Sequence, residues 1–297
     1  MVRLWYPSSE KSGSPYPLLI YFSSWPGTGI DNYQLIRELV SHGYIVASVE
    51  YPAKLPGMSA IDHEQQLTQL QQPMDFSSEA AYLTTLRIAN ERVRQRARDA
   101  IRVLDYLDLH HQPNVPSNAF PDLNHVGIFG FSLGGAVASE ACWLDPRFKA
   151  ALNLDGWDWA DAAEHGIAQP YLFISGVFSP SAADLKSTDP DRHFNAVLDQ
   201  AATLYWRKNI LRGAMHVTIA KADHSDFTDS PKHGWRHWLT GKTISATPMR
   251  DILNGYSKAF FDYHLKSQDS PLLKTGTPSQ EVKSPFAGAT VVIGPRN

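Results

Sequence analysis

The chain has 297 residues, of which 43% are hydrophobic and 19% charged, close to the averages of soluble globular proteins. Disordered and coiled-coil classes are therefore excluded. The 27 Lys+Arg against 30 Asp+Glu leave a net charge of −3, too little to draw phosphate backbones over the whole surface, so nucleic acid is not an expected partner. The longest apolar run, Tyr16 to Phe22, is far short of the ~20 residues of a spanning helix, and no transmembrane segment is expected.

Met1 leads straight into the strand-like Val2 to Tyr6, and a soluble chain without a signal peptide is expected, with secretion left open. Cys142 is the single cysteine, so no intramolecular disulfide can form. Apolar β-branched runs then alternate with segments of helical period, which predicts a mostly parallel sheet with helices on both faces. Strands are expected at 17–23, 44–50, 124–130, 149–154, 170–175 and 214–220. Leu35, Ile36, Leu39 and Val40 share one helical face between the first two, and Gly43 ends that helix.

The stretch 53–75 is longer than a usual connection and is read as a rim over a site, its action as a lid left open. Residues 76–110 read as helix, and the arginines at 92, 94, 96 and 98, interleaved with Glu91, Asp99 and Asp105, read as a solvated face. Ser230-Pro231 opens a helix through Leu239, and a last helix covers 247–266. One domain over 1–266 is expected, followed by a tail, 267–297, that lies on the surface or is partly mobile.

The chemistry begins at Gly130-Phe131-Ser132-Leu133-Gly134-Gly135, between an apolar strand and the helix-like Ala136 to Trp143. A serine on a sharp strand-to-helix turn is strained and exposed, its neighbours must be small, and the helix aims free N–H groups at a reacting carbonyl. A serine nucleophile needs a base held by an acid, in chain order Ser, Asp/Glu, His. His224 follows a late strand in a polar loop and is the expected base. His216 reads as packed and His42 as a turn or capping residue. His233 and His237 lack the Glu of H-E-x-x-H, so no metal site is assigned. For the acid, Asp155 ends a strand and is preferred, with Asp184 as the alternative. Oxyanion donors are expected from the backbone of Leu133 and, because Pro26 has no N–H, of Trp25.

Gly130 to Gly135, Leu154-Asp155-Gly156-Trp157, His224-x-x-Phe227-x-Asp229, Val93-Arg94-Gln95-Arg96-Ala97 and Ser41-His42-Gly43-Tyr44 together resemble the platelet-activating-factor acetylhydrolase family of the α/β-hydrolase fold, over roughly residues 2–265. The resemblance implies a calcium-independent serine esterase without cofactor, with Ser132 as nucleophile, Asp155 as acid and His224 as base. Its substrates would be phospholipids carrying short or oxidised acyl groups, or other small esters. Phe131 stands where the family commonly has histidine, and Ser24-Trp25-Pro26 replaces a His-Gly pair; the second departure bears on substrate choice. Phe131, Trp157 and Trp159 are assigned to the substrate pocket; Trp157, Trp159, Trp235 and Trp238 flank the expected acid and base loops, where they would wall an acyl pocket or make transient contact with a lipid surface, with core packing as the alternative.

A general short-chain carboxylesterase or polyester hydrolase is the nearest alternative. From other classes come a non-catalytic module of the same fold and an NAD-dependent oxidoreductase. The latter would use Gly27-Thr28-Gly29 and Glu50, although Asn32 occupies the third glycine position.

Overall fold

The computed structural model describes residues 1–7, 15–27, 30–51, 72–109, 120–230, 244–273 and 281–293, with residues 59, 61, 62, 64, 65 and 68 between them. Its strands are β1 (Val2–Trp5), β2 (Tyr16–Phe22), β3 (Ile45–Val49), β4 (Pro121–Phe131), β5 (Phe148–Leu154), β6 (Tyr171–Ser175), β7 (Met215–Ile219), β8 (Glu281–Lys283) and β9 (Ala289–Ile293). Among the described residues they form one nine-stranded sheet in the order β1-β3-β2-β4-β5-β6-β7-β9-β8. The pairs from β3 across to β7 are parallel, and antiparallel pairs close both ends.

The six strands expected from the sequence are present within a few residues. Their unbroken apolar character has a direct cause: helices cover both faces, so neither side of a central strand meets water. On one face, α2 (Glu79–Leu109) and α3 (Leu133–Leu144) pack against β2, β4 and β5, joined by α4 (Ala160–His165) and α5 (Pro190–Ile210). On the other lie α1 (Tyr33–Ser41) and α6 (Ala246–Lys266). The apolar stripe of α1 (Leu35, Ile36, Leu39) and that of α6 (Ile252, Tyr256, Phe260) are buried as their spacing requires.

Three readings change. The stretch read as a tail contributes β8 and β9; β9 pairs with β7 along Met215 to Ile219, and Val291 is fully buried. Alternating apolar residues in Ala289 to Val292 satisfy an open sheet edge that composition alone does not reveal. The helix α5 was not anticipated, although Asp189 caps it through Asp191 N and Pro190 stands in its first turn. The arginines of α2 are not a uniformly solvated face, since Arg96 is 4% exposed. The helix expected over 231–239 and most of 53–71 lie outside the described residues. No described helix is long and apolar enough to cross a membrane.

Candidate active site

Four strands deliver the site at their carboxyl ends, where an open α/β sheet presents its loops. The serine comes from the β4–α3 turn. Ser132 has φ 57° and ψ −123°, a left-handed conformation costly for a residue with a Cβ, and it is held there by its N–H bonding to Leu154 O at 2.9 Å. The turn closes only because Gly134 lies against β2: a Cβ there would stand 2.1 Å from Phe22 O.

The carboxylate comes from the end of β5. Asp155 also has a positive φ, 54°, and its N–H bonds to Ile174 O at 2.8 Å. Gly156 follows because a Cβ at that position would stand 2.1 Å from Ser132 O. Beneath this turn Asn153 accepts from Gly156 N and donates to Gly156 O and the Tyr171 hydroxyl. Ser139 and Tyr171 both donate to Asp158. Burial pushes the Asp158 carboxyl up to about 8 against these hydrogen bonds.

The histidine follows β7 in a 3-10 turn, His224–Phe227, capped reciprocally by Asp223 and Asp226. His224 Nε2 lies 3.0 Å from Ser132 Oγ, and its Nδ1 lies 2.7 Å from Asp155 Oδ2. The other carboxylate oxygen, Oδ1, accepts from Gly176 N at 2.7 Å. Burial alone would lower His224, but the hydrogen bond and charge of Asp155, with Asp223 and Asp31, more than offset it and leave the imidazole above its ordinary range. For Asp155 the balance tips to burial, which raises it against the His224 and Gly176 hydrogen bonds. A serine hydroxyl, imidazole and carboxylate so joined can pass a proton from oxygen to ring nitrogen while the carboxylate holds the opposite N–H.

Asp184 is elsewhere. It is held by Ser181 and Arg192 on an exposed loop, which lowers it to about 2.

The three residues open on a cavity of about 510 Å³ that also includes Met74, Phe76, Trp157, Trp159 and Phe178. Trp157 meets Phe76 and Trp159 edge-on at 6.1 and 6.3 Å. Trp157 and Trp159, assigned to a pocket in the sequence reading, both line this cavity, as does Met74 from the stretch read as a rim. Phe131 does not line this cavity. It lies in the core beneath the site, 4% exposed, with its ring stacked 4.8 Å from that of His224. The alternating pleat of β4 turns it to the opposite face from the cavity.

The cavity also holds a residue that sequence reasoning missed. Asp199 of α5 accepts from Trp157 Nε1 at 2.8 Å, and burial raises its carboxyl. The Asp189-Pro190 start signal, followed along the helix, is the clue that leads to it.

The loop after β2 is tied on several sides. Ser24 N donates to Asp31 Oδ2 at 2.8 Å, and Arg96 donates to the carbonyls of Ser24 and Trp25 at 3.0 and 2.8 Å. The Trp25 indole donates to Gln72 O, and Arg92 lies 4.2 Å over its ring. Leu133, the first residue of α3, is 1% exposed.

His216 is buried, stacked on Phe173 and pushed down to about 3 by burial, as befits a packed histidine. His42 sits at the end of α1 with Nδ1 2.9 Å from Glu38 O. His233, His237, Trp235 and Trp238 lie outside the described residues. Among the described residues no three His, Cys, Asp or Glu side chains cluster as metal ligands. Asn32 bonds to Phe227 O and the Tyr21 hydroxyl, and Glu50 pairs with Arg3. Glu50, the acid invoked for a ribose, thus serves an internal contact, as does Asn32 at the third glycine position, while Thr28 and Gly29 lie outside the described residues.

The sheet order, the serine turn between β4 and α3, and the Asp and His after β5 and β7 define the α/β-hydrolase fold. A solved structure, "Ferulic acid esterase from Streptomyces cinnamoneus", superposes with a TM-score of 0.62 over 89% of this chain and 72% of its own, at 24% identity, a likeness of fold. The family model for platelet-activating factor acetylhydrolase, isoform II, matches residues 4–189, and the chain belongs to that family. Platelet-activating factor acetylhydrolases of Canis lupus familiaris and Bos taurus are 28% and 30% identical to it over 285 and 287 residues, 87% of this chain. The chain spans 59% of the length of those two relatives.

Proposed function

We propose that this protein is a serine-dependent carboxylic-ester hydrolase that removes short acyl groups, including those of phospholipids. The observation that carries the reading is the chain of contacts from Ser132 Oγ through His224 to Asp155, at 3.0 and 2.7 Å, on the floor of an aromatic cavity. Family membership and the names of the relatives favour the phospholipid substrate.

In this mechanism Ser132 Oγ attacks the acyl carbon while its proton passes to His224 Nε2. Asp155 stabilises the imidazolium that forms and keeps Nδ1 protonated, so that Nε2 faces the serine. The negative charge on the former carbonyl oxygen is received by the N–H groups of Leu133 and Trp25, each such donor contributing ~2.7–4 kcal/mol to transition-state stabilisation. Collapse expels the alcohol, which takes the proton from His224. Water, deprotonated by His224, then attacks the acyl-enzyme and releases the acid. Trp157, Trp159 and Phe76 limit the acyl chain, because a methylene that finds no room must displace packed rings.

Aryl esters from acetyl to dodecanoyl, assayed with and without phospholipid vesicles, test the substrate class. Rates should fall beyond a few carbons; faster dodecanoyl than acetyl turnover would reject the short pocket. A fluorophosphonate should label Ser132 alone, and labelling that survives Ser132→Ala unchanged would move the nucleophile elsewhere.

A further inference from the structure

We propose that Arg96 is a positioning residue for the oxyanion loop: together with Asp31 it holds the Ser24–Trp25 peptide so that the Trp25 N–H turns away from α2 and toward the Ser132 elbow. This rests on the reading of Trp25 as a donor given above.

Arg96 stands in the middle of α2 and is 4% exposed. A buried guanidinium normally sits against a carboxylate, yet among the described residues none lies within ion-pair distance of Arg96. Asp99, one turn along, is taken by the Tyr51 hydroxyl at 2.7 Å and by Arg102. The guanidinium instead lies 4.8 Å over the Tyr51 ring and gives two N–H groups to two successive carbonyls, Ser24 O at 3.0 Å and Trp25 O at 2.8 Å. This planar fork suits two acceptors at a fixed spacing, which a lysine ammonium cannot match. Burial lowers Arg96 only to about 10, so it carries its charge at neutral pH.

Peptide geometry gives the consequence. In a trans peptide the C=O and the following N–H point in opposite directions, and this structure has no cis peptide among its described residues. Fixing Ser24 O on Arg96 therefore turns the Trp25 N–H the other way. The neighbouring groups cannot substitute for it: the Ser24 N–H is spent on Asp31, and Pro26 has none. No described residue accepts from the Trp25 N–H. Gly27 completes the clamp, with φ +70° and a Cβ position only 2.7 Å from Arg96 Nη2, while its carbonyl accepts from Tyr51 N at 2.7 Å. Any side chain at residue 27 would push the guanidinium off the loop.

The test compares an activated acetyl aryl ester with its thionoester, in which sulfur is a poor hydrogen-bond acceptor, so that the preference for the oxygen ester reports the donors themselves. Wild type, Arg96→Met, Arg96→Lys, Asp31→Ala, Asp31→Asn and Ser132→Ala are assayed on the pH plateau, because Asp31 also helps raise His224. Arg96→Met should lower kcat roughly 10–100-fold with little change in KM, and should narrow the ester preference. Arg96→Lys, able to reach one carbonyl, should fall between it and wild type. Asp31→Ala, which leaves the core intact, should show the same signature, and Asp31→Asn, which keeps an acceptor, should restore it. Wild-type preference in both Arg96→Met and Asp31→Ala, whatever their kcat, would overturn the positioning role. Ser132→Ala turning over at the wild-type rate would instead overturn the serine mechanism on which that role rests.

Discussion

Burial is the largest single influence on His224 and lowers it, but the hydrogen bond and charge of Asp155, with the charges of Asp223 and Asp31, together prevail and raise it. In the proposed mechanism His224 must be neutral to accept the Ser132 proton, so kcat/KM should rise with pH through the raised His224 value, with an acid limb above the ~6.5 of an ordinary histidine. Asp155→Asn keeps the shape of the side chain but removes the charge that opposes burial, and an amide N–H turned toward Nδ1 favours the wrong tautomer. The limb should then move down from its wild-type position, while kcat falls by ~10⁴ because the tautomer is no longer held. A pH profile of the two proteins decides this, and a variant limb at or above the wild-type position would take Asp155 out of the relay. Asp184→Asn, remote from the relay and bound to Ser181 and Arg192, should leave the profile unchanged.

Among the elements, α3 decides most, because its first turn carries both the serine and the Leu133 N–H and lies directly on β2. Gly134 permits that approach, with Phe22 O 2.1 Å and Ser23 O 2.8 Å from where a Cβ would stand. Both obstacles are backbone, so neither can swing aside. Gly134→Ala should therefore shift α3 outward, cost ~1–3 kcal/mol or more of stability, and depress kcat further than the loss of folded protein explains. Urea denaturation beside active-site titration with a fluorophosphonate separates the two effects. Unaltered stability and turnover would mean that the elbow has slack that the contact distances deny.

For the molecule as a whole, the sheet does not end at the strand that precedes His224. β9 pairs with all of β7, and Ala220 N bonds to Gly288 O at 2.8 Å just before the His224 loop begins. The chain beyond α6 thus backs the strand that leads into His224. Val291 is fully buried in this seam, and Val291→Ala should cost ~1.5–3 kcal/mol, read as a lower urea midpoint with the turnover of each folded molecule preserved. A midpoint equal to wild type would show that the seam contributes little.

Much of this was legible along the chain. The alternation of apolar runs and helical periods predicted the six central strands, because strands covered on both faces must be apolar throughout. Chain order and strand ends singled out Ser132, Asp155 and His224, because functional loops follow the carboxyl ends of parallel strands. Tertiary structure alone decided which partners distant residues would find. Arg96 reads as one of a charged row until the Ser24–Trp25 carbonyls arrive from 71 and 72 positions away. Phe131 reads as a pocket residue until the strand pleat turns it beneath His224. The run 289–293 reads as tail until β7 offers it an open edge. In each case local sequence specifies what a residue can bond or bury, and the fold supplies the acceptor, the ring or the strand that satisfies it.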